Sequence, residues 1–200
     1  MVPLRLNFWV LSLMQAYSGE VISINWQQNL TKVYVLRGLY FCVSADILRT
    51  AYFSIFHTHL SYAILSWGHS AGMLRVFGLQ RKAVRIISSL RCRDDCRAMY
   101  VKLRLLTVPS VYILECLMYV RQNIGLYQTH ENIHTYNTRV RKNLIPAYWR
   151  LGRCQDGPGY WSIKFFNALP GEIKVLPEKV FKVRVKTYLL KTPFTPLMNF

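Results

Sequence analysis

Four cations recur at helical spacing in one amphipathic stretch of this chain, Leu74–Ile87, which reads LRVFGLQRKAVRII. At about 100° per residue, one arc of such a helix carries apolar side chains. The opposite arc carries the cations Arg75, Arg81, Lys82 and Arg85. Two residues break this division, because Leu74 falls among the cations and Gln80 falls among the apolar residues. The outward arc is suited to contact with phosphate or with anionic lipid, and a merely solvated face is an equal alternative.

A second set of cations is interleaved with aromatic residues in HTYNTRVRKNLIPAYWR, residues 134–150. Its rings could stack on bases or riboses while its cations pair with phosphates. The candidate binding residues here are Tyr136, Arg139, Arg141, Lys142, Tyr148, Trp149 and Arg150. The same aromatic residues could instead anchor an extended strap to a helical core, and the two uses are compatible.

Residue patterns for catalysis or metal binding are sparse. Asp94 and Asp95 are adjacent, but two-metal catalysis needs carboxylates that converge from separate elements. Arg93 and Arg97 flank this pair, so a solvated turn is the better interpretation. The cysteine and histidine spacings give weak support to a zinc site, and no glycine-rich phosphate loop occurs. We therefore predict no catalytic residue, no metal, no cofactor and no small-molecule substrate.

The bulk composition favours a folded protein that binds a polyanion. The chain has 200 residues, 52% of them hydrophobic, which is enough for a buried core. Lysine and arginine number 26 against 9 acids, a formal charge of +17. Because this excess opposes compaction, nucleic acid is the first expected partner class and acidic membrane the second. Five irregularly spaced cysteines favour reduced thiols and an intracellular location, nuclear or cytoplasmic.

One stretch is long enough to cross a bilayer, since residues 51–74 contain no Asp, Glu, Lys or Arg. Its histidine, serine and threonine side chains are costly in hydrocarbon and argue against insertion. We expect a buried core helix followed by a turn. A membrane-associated basic protein with residues 51–74 inserted is the rival hypothesis.

The sequence pattern predicts that helices position these residues. The predicted helices cover residues 30–41, 44–66, 74–87, 97–105, 163–169 and 178–191. Residues 181–186 also alternate like a strand, and the length of the run and Pro177 before it favour the helix. Ser44 is the expected N-cap of the second helix, which is apolar nearly all round and therefore expected to be central and buried. Thr107 is expected to cap a further helix that has Pro109 in its first turn. Residues 126–160 read as a basic, irregular segment. The predicted fold class is all-α, a small helical bundle with an irregular basic C-terminal segment and a terminal helix.

Five stretches in order make the chain similar to a known family. They read LRTAYFSIFHTHLSYAILSWG, LQRKAVRII, RDDCRAMYVKLRLLTVPSVYILECLMYV, HTYNTRVRKNLIPAYWR and WSIKFFNALPGEIK. Over about residues 28–190 they resemble the carboxy-terminal part of a jockey-type non-LTR retrotransposon reverse transcriptase, an RNA-directed DNA polymerase. The landmarks are Tyr62, Trp67, Gly68, Asn137-Thr138-Arg139 and Asn167-x-Leu169-Pro170.

The resemblance implies a helical, thumb-like domain over 28–125, a basic post-thumb segment over 126–200 and an unassigned segment over 1–27. It implies that the basic helix grips the backbone of an RNA or RNA–DNA duplex. The family's palm, with its Tyr-x-Asp-Asp motif, has no counterpart in this sequence. We therefore expect a truncated copy that is not catalytic alone, with the missing palm as a candidate partner. A non-functional partial gene product is the other alternative.

Overall fold

Helices make up the regular structure of the described part of this chain. The computed structural model describes residues 33–133, 141–146 and 158–191. In order, the helices are α1 Val33–Leu39, α2 Ala45–Ala51, a π-helical segment Tyr52–His57, α3 Thr58–Ser61, α4 Ile64–Trp67, α5 Gly72–Ile87, α6 Arg97–Lys102, α7 Val108–Gln122, a 3₁₀ turn Ile124–Leu126, α8 His130–Ile133, α9 Pro158–Ala168, α10 Gly171–Lys174 and α11 Glu178–Lys191. The predicted all-α fold class is confirmed.

The chain divides into two compact units. Of the described residues, 33–112 and 188–191 belong to the first unit, and those between 113 and 187 belong to the second. The domain boundaries expected from the sequence, at 27/28 and 125/126, stay predictions.

The core of the first unit forms where α1 and α2 pack on α5. Burial along α5 follows most of the predicted apolar arc, but Leu79 and Ile86, which the periodicity also placed on that arc, are only half-buried. Its buried apolar residues are Val76, Phe77, Ala83, Val84 and Ile87. Full burial of each larger side chain contributes about 1.5–3 kcal/mol, so this face fixes the helix on its neighbours. The predicted helix is confirmed, and it begins at Gly72, two residues before the predicted start.

The prediction of one helix from Ser44 to about Ser66 is wrong at its end. The helical run stops at Ser61, because Tyr62 is extended and Ala63 adopts a left-handed conformation with φ 49°. The indole Nε1 of Trp67 donates a hydrogen bond of 3.2 Å to the Tyr62 carbonyl and closes the break. Ser44 precedes the helix as predicted, but its side chain makes no capping hydrogen bond.

The expected all-round burial of this run is also wrong. Its buried residues form a single row, Leu48, Tyr52, Phe56 and Leu60, whereas Ile47 is 56% exposed. A row of residues four apart drifts around an α-helix, and the wider π turn at Tyr52–His57 offsets that drift. The rings of Tyr52 and Phe56 consequently stack, with centroids 5.3 Å apart.

Residues 51–74 are divided among several short elements, from the π-helical segment to the start of α5. Within the ranges that the structure describes, no helix combines the length and the apolar character needed to cross a bilayer.

The second unit is held by polar contacts around a small aromatic core. The rings of Phe166 on α9 and Phe181 on α11 lie 6.3 Å apart. The Arg121 guanidinium donates to the carbonyls of Lys174 and Leu176, at 3.2 and 2.6 Å. These bonds satisfy carbonyl groups at the end of α10 and just after it, which lack partners within the helix. The terminal helix was predicted at 178–191 and is confirmed, whereas α9 begins at Pro158, earlier than the predicted 163.

Gly68→Ala should destabilise the first unit. A Cβ at this buried position would overlap the Tyr112 ring and the carbonyl oxygen of Ile64. Overpacking of this kind costs about 1–3 kcal/mol, which thermal or chemical unfolding would measure. Gly38→Ala is the matched control, since a Cβ there has nothing within 4 Å. An unchanged unfolding free energy for Gly68→Ala would contradict the packing described.

Candidate nucleic-acid interface

The outward side of α5 carries the cations that the sequence predicted there. Arg75, Arg81 and Lys82 are exposed, and Arg85 is half-buried. Leu74, which the pattern placed among them, is 54% exposed. Gln80, which the pattern placed among the apolar residues, is completely buried. Both exceptions in the sequence pattern therefore lie on the side of the helix that the periodicity gave them.

The side chain of Gln80 fixes the inward side of α5 through buried hydrogen bonds. Its Nε2 donates to the Tyr52 hydroxyl at 3.0 Å and to the Leu106 carbonyl at 2.8 Å. Its Oε1 accepts from the backbone N–H of Val108 at 2.9 Å and, at 3.5 Å, from the Tyr100 hydroxyl. A side-chain amide has two donor hydrogens and two acceptor positions, so this buried group is fully satisfied.

The same contacts build the start of α7. The first N–H groups of a helix lack intrahelical partners, and here the Val108 N–H is taken by Gln80. Pro109 has no N–H, and the Ser110 N–H donates to Thr107 Oγ1 at 3.3 Å. The predicted cap at Thr107 and the predicted place of Pro109 are confirmed.

Arg85 is partly committed to the structure. Its Nε donates to the Asp94 carbonyl at 2.9 Å and so holds the turn that follows α5. In that turn the Asp94 carboxylate accepts from the Arg91 N–H and the Asp95 carboxylate from the Arg97 N–H. The adjacent acids therefore stabilise a turn, as the sequence interpretation proposed.

Arg81 is held in place by an aromatic neighbour. Its guanidinium carbon lies 5.2 Å from the centroid of the Phe77 ring, which leaves the charge at the surface. Such a contact contributes about 0.5–1 kcal/mol at an exposed site and restricts the side chain. Less conformational entropy is then lost when the group meets a phosphate.

Only two members of the second predicted cluster belong to the described ranges. Arg141 forms an ion pair of 2.7 Å with Glu131, and Lys142 is exposed. The Glu131 carboxylate offsets the charge of Arg141, which weakens it as a phosphate ligand. Outside the described residues lie Tyr136, Arg139, Tyr148, Trp149 and Arg150.

Asn167 positions the segment that carries these two cations. Its Nδ2 donates to the Leu144 carbonyl at 2.8 Å, and its Oδ1 accepts from the Leu144 N–H at 2.9 Å. The side-chain amide thus pairs with both backbone groups of Leu144, as a neighbouring strand would. The sequence marked Asn167 only as a landmark, and nothing in the pattern identified its partner.

One further cationic side was missed by the sequence interpretation. Three exposed lysines lie on α11, namely Lys179, Lys182 and Lys186. None of them forms an ion pair with another described residue. Their separations of three and four residues place them on one side of the helix. That spacing was present in the sequence and could have identified them.

Comparison of this chain with protein-family models, with curated proteins and with solved structures found no match. Within the described ranges, no group of three or more His, Cys, Asp or Glu side chains is arranged to hold a metal ion.

Gln80→Leu should destabilise the first unit strongly. The variant fills similar volume but leaves the Val108 N–H, the Leu106 carbonyl and the Tyr52 hydroxyl without this partner. Each unsatisfied buried group costs about 1–3 kcal/mol, so we expect a loss of roughly 3 kcal/mol in unfolding free energy. Gln122→Leu removes an exposed amide and is the control, with an expected change below about 1 kcal/mol. Equal changes of unfolding free energy in the two variants would contradict the role given to the Gln80 hydrogen bonds.

Stability should fall in alkali because two tyrosines are buried beside Gln80. Burial raises the pKa of Tyr52 and of Tyr100 above the ordinary 10.0. The unfolded chain releases these protons near pH 10 while the native chain retains them, so the unfolding free energy decreases above that pH.

Tyr100→Phe tests this pH dependence, since it removes one titrating group and only a long hydrogen bond. Its unfolding free energy, measured against pH, should decline less steeply above pH 10 than in the parent. Tyr34→Phe removes an exposed hydroxyl and should leave the decline as in the parent. The same steepness in Tyr100→Phe and the parent would contradict the account.

Proposed function

We propose that this chain binds the sugar–phosphate backbone of an RNA or RNA–DNA duplex through the outward side of α5. The proposal includes kinship with the thumb and post-thumb region of non-LTR retrotransposon reverse transcriptases, on the strength of the ordered sequence stretches. One observation carries the binding role. Arg75, Arg81 and Lys82 are exposed together on a helix whose opposite side is fixed by a buried, fully hydrogen-bonded amide.

No acidic side chain in the described part of the chain forms an ion pair with a cation of α5. Within the described ranges, ion pairs join Arg97 to Asp95 and Arg141 to Glu131, and neither involves α5. When the cations of α5 bind a duplex, they displace the small counter-ions that are bound to its phosphates. This release drives binding that is independent of sequence and decreases steeply as salt concentration rises.

The rigidity of α5 favours a repeated, regular ligand. The Cβ atoms of residues three and four apart on a helix lie about 5–6 Å from each other, so the attachment points of these charged side chains keep fixed separations. Phosphates along a duplex also keep fixed separations, and contacts to them set position without reading bases. We therefore expect the protein to tolerate any sequence and to act by holding a duplex.

Reversing the three exposed charges, Arg75→Glu with Arg81→Glu and Lys82→Glu, should abolish most duplex binding. The measurement is fluorescence anisotropy with a labelled RNA–DNA hybrid over a range of salt concentrations. The loss of about three phosphate contacts should lower the slope of log affinity against log salt by roughly 3. Arg85 is left unchanged because its hydrogen bond to Asp94 holds the adjoining turn.

The control reverses the same amount of charge elsewhere on the first unit, at the exposed residues Arg37, Lys102 and Arg104. Equal losses from both triple variants would show that only net charge matters and would overturn the role of α5. Vesicles of acidic lipid provide a second readout. If the α5 variant lost vesicle binding but bound the hybrid normally, the surface would be a lipid site.

A further inference from the structure

A glycine lies at the centre of the cationic side of α5. On a helix, the surface neighbours of residue 78 are the residues three and four positions away. These are Leu74, Arg75, Arg81 and Lys82. Gly78 is thus surrounded by the three exposed cations of the proposed binding surface, together with one exposed leucine.

Neither packing nor backbone conformation within the protein requires glycine at this position. A Cβ built on Gly78 has nothing within 4 Å. None of the described glycines has a positive φ, so any L-residue could adopt this backbone. Glycine is also the poorest helix former after proline, and Gly78 lies in the interior of a helix of 16 residues. Glycine at this position therefore weakens α5, and no contact among the described residues compensates for that.

We propose that Gly78 is the point at which the backbone of a bound duplex touches α5. This inference rests on the proposed function and names the form of nucleic acid that the surface takes. Without a side chain, the helix is flat between its cations, so sugars and phosphates can lie directly on the main chain. Close approach of this kind is a common use of glycine and adds weak Cα–H···O contacts.

A duplex needs this flat region more than a single strand does. A duplex backbone is stiff, so a side chain at position 78 would hold it away from all three surrounding cations at once. Each charge–phosphate attraction then weakens with distance and through screening by salt. A flexible single strand can bend around the same obstacle and keep its contacts.

Gly78→Gln is the direct test, because glutamine is a good helix former, is uncharged and projects into the open space. Its melting temperature should rise, while its affinity for an RNA–DNA hybrid should fall about tenfold, as expected for losing one or two phosphate contacts. Its affinity for a single strand of equal length should change less than about twofold by the same reasoning.

Gly38→Gln is the matched control. Gly38 is also helical, and a Cβ there also has nothing within 4 Å, but Gly38 lies on α1 and is exposed, whereas Gly78 is half-buried. This variant should leave the affinity for both nucleic acids as in the parent. Hybrid affinity unchanged in Gly78→Gln would overturn the proposal, and so would equal losses for hybrid and single strand.

The charge-reversal variant separates this inference from the proposed function. If reversal at Arg75, Arg81 and Lys82 left hybrid binding intact, the proposed function would fail, and the inference about Gly78 with it. If reversal removed binding while Gly78→Gln retained it, only the role of Gly78 would fail.

Discussion

The first unit depends on one buried polar group, the side-chain amide of Gln80. A primary amide in an apolar core must have all of its hydrogen bonds, since each missing one costs a sizeable part of a net stability of about 5–15 kcal/mol. The four partners come from the π-helical segment, from α6, from Leu106 in the loop after α6 and from the start of α7. A rotation or shift of α5 would break several of these bonds together. The amide therefore specifies one orientation of the helix, where apolar contacts alone would tolerate several.

That orientation determines where the charges point. With Gln80 inward, the residues on the other side of the helix must face away from the core. Arg81 is steadied by the Phe77 ring, and Arg85 is bound to the carbonyl of Asp94. The helix therefore presents its cations in one fixed direction, and two of them, Arg81 and Arg85, are further restrained by these contacts. The cost is repulsion between like charges, which a polyanion relieves.

The sequence alone predicted α5 because its apolar residues recur with the period of a helix. The apolar pattern also marked Gln80 as an exception, but it could not identify the partners of the Gln80 side chain. Leu106 and Val108 lie 26 and 28 residues after Gln80, and Tyr52 lies 28 residues before it. The cap at Thr107 was predictable because capping is local and uses neighbouring residues.

Other features depend on tertiary contacts or on unusual backbone conformations, which hydrophobic periodicity cannot predict. The helical run ends at Ser61 through a left-handed Ala63, where a glycine would have signalled the stop and none is present. Ile47 is 56% exposed although the run is apolar nearly all round, because only the row that begins at Leu48 faces the core. Arg85 was predicted to face phosphate, and its bond to a carbonyl nine residues away has no sequence signature.

The central claim is that a duplex covers the outward side of α5. Amine labelling of the native protein, read residue by residue by mass spectrometry, tests it most directly. Lys82 and Lys102 are both exposed in the first unit, one on α5 and the other on α6. Saturation with an RNA–DNA hybrid should slow labelling of Lys82 several-fold while Lys102 reacts as before. Labelling of Lys82 at an unchanged rate in the saturated complex would contradict the account.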